Sequence, residues 1–204
     1  MDIVSFLAGV AASLVGVIAT VAVTSKIESI KLKIDSQRNK KMLYAELKDL
    51  VEESSERLDL VYKLYAQVVT CELKHDSKWL SEYVIPNELN LVVLKSTLDK
   101  CYLELTKPQR KGLRSLIAIV EGIERDILKL QAKSHEQHLS INKKDVHVLL
   151  SGFGVIYQLS LALSNEQERY VHITKPSDEL LFNTLAAKGL SLSGNDLGKY
   201  LNAA

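Results

Sequence analysis

Residues 3–25, IVSFLAGVAASLVGVIATVAVTS, hold no charged side chain. A helix of this length runs about 34 Å at 1.5 Å per residue, enough to cross a hydrocarbon core of roughly 30 Å. A helix is also the segment structure that satisfies its own backbone polar groups in lipid. A soluble surface helix carries a polar stripe, whereas the polar side chains here are small hydroxyls: Ser5, Ser13, Thr20, Thr24 and Ser25. The segment is therefore expected to be a transmembrane anchor. Two alternatives compete, a buried core helix and a cleaved signal peptide. The latter lacks its basic leader, because only Met1 and Asp2 precede the run.

Charge on the two flanks sets the expected orientation. Lys26, Lys31, Lys33, Arg38, Lys40 and Lys41 follow the apolar run, and Asp2 precedes it. The positive-inside bias then keeps the C-terminal part in the cytoplasm and puts the N-terminus outside. The same six cations are candidate lipid-headgroup contacts. Glu28 and Asp35 dilute them, so a topology signal alone also accounts for the cluster.

Small residues recur along the apolar run. Ala8, Ala12, Gly16, Thr20 and Thr24 form one ridge, with Gly9 and Ser13 beside it. Small-xxx-small faces let helices approach closely in lipid. Ala8, Gly9, Ala12, Ser13, Gly16 and Thr20 are the candidate residues for helix–helix association in the membrane, and a homo-oligomer is the corresponding expectation.

Past the anchor the chain reads as all-α. It has 9 Gly and 3 Pro, and neither type occurs from Lys26 to Val84. The polar stretch 26–41 extends the membrane helix as a basic stalk. Apolar residues then recur at Leu43, Leu47, Leu50, Leu58, Val61, Tyr65 and Val68, a helical stripe with one gap. One helix is thus expected from the membrane to about Lys74, with a break at His75-Asp76-Ser77 and a short helix through Trp79, Leu80 and Val84. Leu89 to Leu105 marks a second long helix. Thr106 caps a third, with Pro108 in its first turn. In that helix Leu113, Leu116, Val120, Ile123, Ile127 and Leu130 step 3, 4, 3, 4, 3. Gly122 is a candidate close contact there. A fourth helix opens at Lys143 and ends after Glu166. A short one follows Pro176 and stops at Gly189. The tail 191–204 is expected to be partly mobile or docked on a partner, with a weak last helix around Leu197 to Leu201.

The domain plan is an anchor over 1–25, a stalk over 26–41, an antiparallel four-helix-like bundle over 42–173, and a short helix with tail over 174–204.

Motifs for chemistry are sparse. The sequence has no phosphate loop, dinucleotide fingerprint or nucleophile elbow. His135 and His138 share a helix face as an HxxH, without a further ligand set, so no metal or cofactor is expected. Ser151-Gly152-Phe153-Gly154 reads as a tight helix contact or kink. Cys71 and Cys101 do not form a CxxC pair. The acidic face Glu46, Asp49, Glu52, Glu53, Glu56 and Asp59 is a solvated face, a docking surface, or a counterpart for Lys107, Arg110, Lys111 and Arg114. A net charge of +1 gives no bulk case for nucleic acid.

The leading expectation is a non-enzymatic, membrane-anchored scaffold or regulatory protein with membrane lipid, itself and a protein as partners. The alternatives are an effector whose clustered spans perturb the bilayer, and a metal or enzyme domain.

Overall fold

The structure is a computed structural model. It describes the backbone of residues 3–80, 82–136, 141–193 and 197, and the side chains at 3–15, 77, 135 and 136 lie outside the description. The protein is all-helical, and no strand occurs among the described residues. Among the described residues five α-helices follow one another: α1 (Ile3–Lys74), α2 (Val92–Cys101), α3 (Lys107–Glu136), α4 (Lys143–Glu166) and α5 (Ser177–Ala187). Short 3-10 turns stand at Ser77–Leu80, Tyr102–Glu104 and Gln167–Arg169.

Helix α1 is continuous over 72 residues, about 108 Å of helix. Its first described side chains, from Gly16 to Asp35, are all exposed. Burial starts at Ser36 and becomes regular from Leu43. Leu43, Leu47, Leu50, Leu58, Val61, Tyr65 and Val68 all enter the core, as their spacing predicts. Ser54 fills the gap in the stripe; it is fully buried, and its hydroxyl donates to the Val51 carbonyl. The helix ends at Lys74 because His75 adopts a positive φ of 51°. Asp76 then accepts from the Lys78 amide at 3.0 Å and caps the following 3-10 turn.

Helix α2 is shorter than its apolar spacing suggests, ten residues instead of a long helix. Arg57 is the cause. Its guanidinium donates to the carbonyls of Asn87 (3.0 Å) and Glu88 (3.1 Å) and holds that segment extended across α1. Helix can begin only after Asn90, whose side chain accepts from the Val92 amide at 3.0 Å.

Helix α3 opens with a reciprocal capping box. The Gln109 amide donates to the Thr106 hydroxyl, and the Thr106 amide donates to the Gln109 side-chain oxygen at 2.7 Å. All six seam residues, Leu113, Leu116, Val120, Ile123, Ile127 and Leu130, are buried.

Helix α4 starts at Asn142, which accepts from the Asp145 amide at 2.9 Å. With its 3-10 extension to Arg169 it is long and apolar enough to cross a membrane, but 56% of its apolar window is buried inside the protein. It is the central core helix, packed against α1, α3 and α5. The small residues on it serve that packing. A Cβ at Gly152 would run into the Ile123 side chain, and one at Gly154 would lie 3.1 Å from the Leu181 backbone.

Gly122 does not have the close contact expected of it. The nearest atom to a Cβ there is an Arg125 guanidinium nitrogen at 3.9 Å. Gly122→Ala should therefore stabilise the protein by about 0.5–1 kcal/mol, because a glycine in an open helix position costs that much in backbone freedom. A rise in the urea midpoint with unchanged slope checks this. The close approach in α3 occurs at Gly112, where a Cβ would sit 2.7 Å from the Tyr170 hydroxyl oxygen.

Helix α5 ends at Ala187, and Gly189, φ 68°, turns the chain out of it, with the Leu190 amide donating back to the Leu185 carbonyl at 2.8 Å. The chain after it lies on α1. Tyr62 donates to the Ser191 carbonyl at 2.6 Å, and Lys188 reaches Asp59 at 2.9 Å and Ser55 at 2.6 Å. Leu197 is buried; the rest of the expected last helix lies outside the described residues.

Candidate functional site

A recess of about 760 Å³ lies where the exposed part of α1 enters the packed domain. Lys33, Gln37, Lys40, Lys41, Tyr44 and Lys48 line one wall, all from α1 at helical spacing. Glu104 and the pair Gln167-Glu168 form the opposite side. Three chain segments thus meet here: the stretch of α1 where its side chains pass from exposed to buried, the turn before α3, and the turn after α4.

Its framework is polar and well paired. Gln109, which is 1% exposed, donates to the Tyr44 hydroxyl at 2.7 Å and to the Gln167 carbonyl at 2.9 Å. That carbonyl belongs to a residue at φ 49°, which ends α4. Lys40 pairs with Glu168 at 3.2 Å, and the Ser36 hydroxyl donates to Glu104. Burial pushes the Tyr44 hydroxyl above its usual range, so it stays protonated at neutral pH. The recess holds four lysines and two glutamates, a positive surplus suited to an anionic surface or group.

Of the candidate headgroup residues, Lys26, Lys31, Lys33, Arg38 and Lys41 are exposed, and Lys40 is half-buried against Glu168. Lys33, Lys40 and Lys41 belong to the recess. Of the association residues, Gly16 and Thr20 are exposed, and the Thr20 hydroxyl donates to the Gly16 carbonyl at 2.8 Å. The side chains of Ala8, Gly9, Ala12 and Ser13 lie outside the described residues, as do those of His135 and His138. Among the described residues no group of three or more His, Cys, Asp or Glu is placed to hold a metal ion. Both cysteines are free thiols. Cys101 is buried and donates to the Thr97 carbonyl, and burial pushes its thiol up, away from the reactive thiolate.

The acidic face of α1 does not pair with the cations of α3. Glu53 pairs with Arg57 at 3.2 Å and Asp59 with Lys188. Arg110 and Arg114 instead lie 5.6 and 5.3 Å from the Tyr102 ring centre, where the ring face attracts cations. Glu46 has a raised pKa, through partial burial first and then the charges of Asp49 and Glu53. A carboxyl raised in this way favours the folded state while protonated, below its usual 4.5, and loses that contribution as pH rises through the raised value. Glu46→Gln should stabilise the protein at neutral pH by about 0.2–0.5 kcal/mol, the scale of a like-charge pair on a helix. The gain should vanish in acid, and urea titrations on either side of the carboxylate range measure both.

Sequence reasoning missed Tyr44, Lys48, Glu104 and Glu168 as members of the recess and Gln109 as the buried residue that ties Tyr44 to Gln167. The T-x-x-Q spacing of Thr106 and Gln109 was the one local signal available. Comparisons with protein-family models, with curated proteins and with solved structures give no match to this chain.

Proposed function

We propose that the protein is a membrane-anchored, non-enzymatic interaction protein. Residues 3–25 span the bilayer with the N-terminus outside. The basic stretch 26–41 stands on the cytoplasmic side near anionic headgroups. The helices after it form an antiparallel bundle that is held at a set height above the membrane and presented to a protein partner.

The observation that carries this reading is the uncovered start of α1. Val17, Ile18, Val21 and Val23 are 59–65% exposed, and among the described residues no other part of the chain lies over them. Each such side chain gains roughly 1.5–3 kcal/mol on full burial. A contiguous apolar surface of this kind marks a membrane or a partner, and the charge-free length matches a bilayer. Helix α4 is also long and apolar enough to cross a membrane, but 56% of its apolar window is buried inside the protein, which supports the first segment as the span.

Protease protection tests the topology. In inverted vesicles, with the cytoplasmic face outward, protease should degrade the helical domain. In right-side-out vesicles the domain should survive until detergent is added. The opposite pattern would reverse the orientation, and degradation in both would remove the anchor.

A further inference from the structure

The stretch 26–41 is polar on average, but α1 runs through it without a break, so each residue has a fixed angular position. Val23, Ile27, Ile30 and Ile34 step 4, 3, 4 and share one side of the helix. They are 59, 49, 50 and 59% exposed. The same steps continue upstream to Thr20 and Gly16, where nothing lies within 4 Å of a Cβ built on the glycine. Val23 belongs to the span; Ile27, Ile30 and Ile34, in an a/d pattern on a stretch of α1 that no other described residue covers, form half of a coiled-coil seam.

The flanking rows say what the other half carries. With Ile27 and Ile34 at a and Ile30 at d, the e and g positions hold Lys26, Lys31, Lys33 and Arg38. All four are cations, and all are exposed. The two acids of the stretch, Glu28 and Asp35, fall at b, away from the seam. A second copy in parallel would set Lys26 against Lys31 and Lys33 against Arg38, like charges at the positions that choose coiled-coil partners. An antiparallel second copy would again oppose cations, and its own span would point away from the membrane.

We infer that the part of the seam beyond the span, from Ile27 to Ile34, is the docking face for an acidic amphipathic helix of a second protein, with apolar residues at a and d and carboxylates at e and g. This rests on the anchored reading, which also disfavours the bilayer as occupant. Beyond a span ending at Ser25, Ile30 stands about 8 Å and Ile34 about 14 Å further along the axis. The headgroup layer is roughly 5–8 Å deep on each side, so Ile34 clears it. A helix that continues straight into a packed domain cannot also lie flat on the membrane.

The test uses the full chain in phosphatidylcholine nanodiscs. The probe is a fluorescent synthetic heptad peptide with Ile and Leu at a and d and Glu at every e and g. A control peptide has Lys at e and g. The Glu peptide should bind at least about tenfold more tightly than the Lys peptide, since several charge pairs change sign together. The double variant I30D/I34D should lose binding, and the variant K26E/K31E/K33E/R38E should prefer the Lys peptide. Equal affinity for the two peptides, or none for either, would overturn the proposal. Efficient disulfide formation by Ile30→Cys without peptide would overturn it in favour of a second copy. If the seam variants instead lose affinity for anionic vesicles and leave peptide binding unchanged, the bilayer is the occupant. Failure of the chain to co-elute with nanodiscs would count against the anchor, and the peptide comparison would still run on the soluble chain.

Discussion

Phe153→Ala is expected to lower the unfolding free energy by about 3–5 kcal/mol, the usual cost of removing a fully buried aromatic side chain. Phe153 is 0% exposed and sits on α4, the helix that touches α1, α3 and α5. Its glycine neighbours draw the partners close: Ile123 of α3 lies over Gly152 and Leu181 of α5 over Gly154. A site packed this tightly has little room to collapse around the lost ring, which places the cost in the upper part of that range. Trp79 is the single tryptophan, held beside Lys74 at 4.2 Å from its ring centre, and its fluorescence reports unfolding of the packed part. The urea midpoint should fall strongly with an unchanged slope. A loss below about 1 kcal/mol would mean that α4 is not the centre of the core.

Gly112→Ala should destabilise by about 1–3 kcal/mol, the range for overpacking a well-filled site. Helix propensity alone predicts the opposite sign, because alanine is the better helix former. Packing wins here because the Tyr170 hydroxyl oxygen and two ring carbons lie 2.7–2.9 Å from the position of the new Cβ. The ring is rigid and 2% exposed, so it cannot swing aside into solvent. Displacing Tyr170 would also disturb the turn Gln167–Arg169, whose Gln167 carbonyl accepts from Gln109 at the recess. Gly122→Ala, ten residues further along the same helix, is the internal control with the opposite expected sign. If both alanines stabilise, the Gly112–Tyr170 contact is not a real constraint.

Much of the helical layout was legible because its signals are local. Thr106 with Gln109, Asn142 with Asp145, and Gly189 after α5 are cap signatures that depend on a few neighbouring residues. The 3–4 spacing of Leu113 to Leu130 identified the buried face of α3 without any tertiary knowledge. The glycine pair of α4 read as a tight contact or a kink, and the structure shows the tight contact. The failures share a cause. The shortening of α2 comes from Arg57, thirty residues away, binding two carbonyls. Gly112 and Gly122 look alike in the sequence, and only the distant Tyr170 separates them. The recess joins residues near positions 40, 104 and 168, so no window of sequence contains it. The seam of the stalk was hidden for a different reason. Its average polarity is high, and the a/d phase has meaning only on a helix that continues unbroken from Val23 to Ile34.

The central claim is that α1 joins a membrane span to a cytoplasmic helical domain. Carbonate extraction of the full chain beside a version lacking residues 1–25 tests it most directly. The account predicts that the full chain stays in the pellet and is released by detergent, while the shortened chain is soluble and helical by circular dichroism. A full chain released by carbonate, or a mature protein that has lost its first 22 or so residues to a signal peptidase, would contradict it.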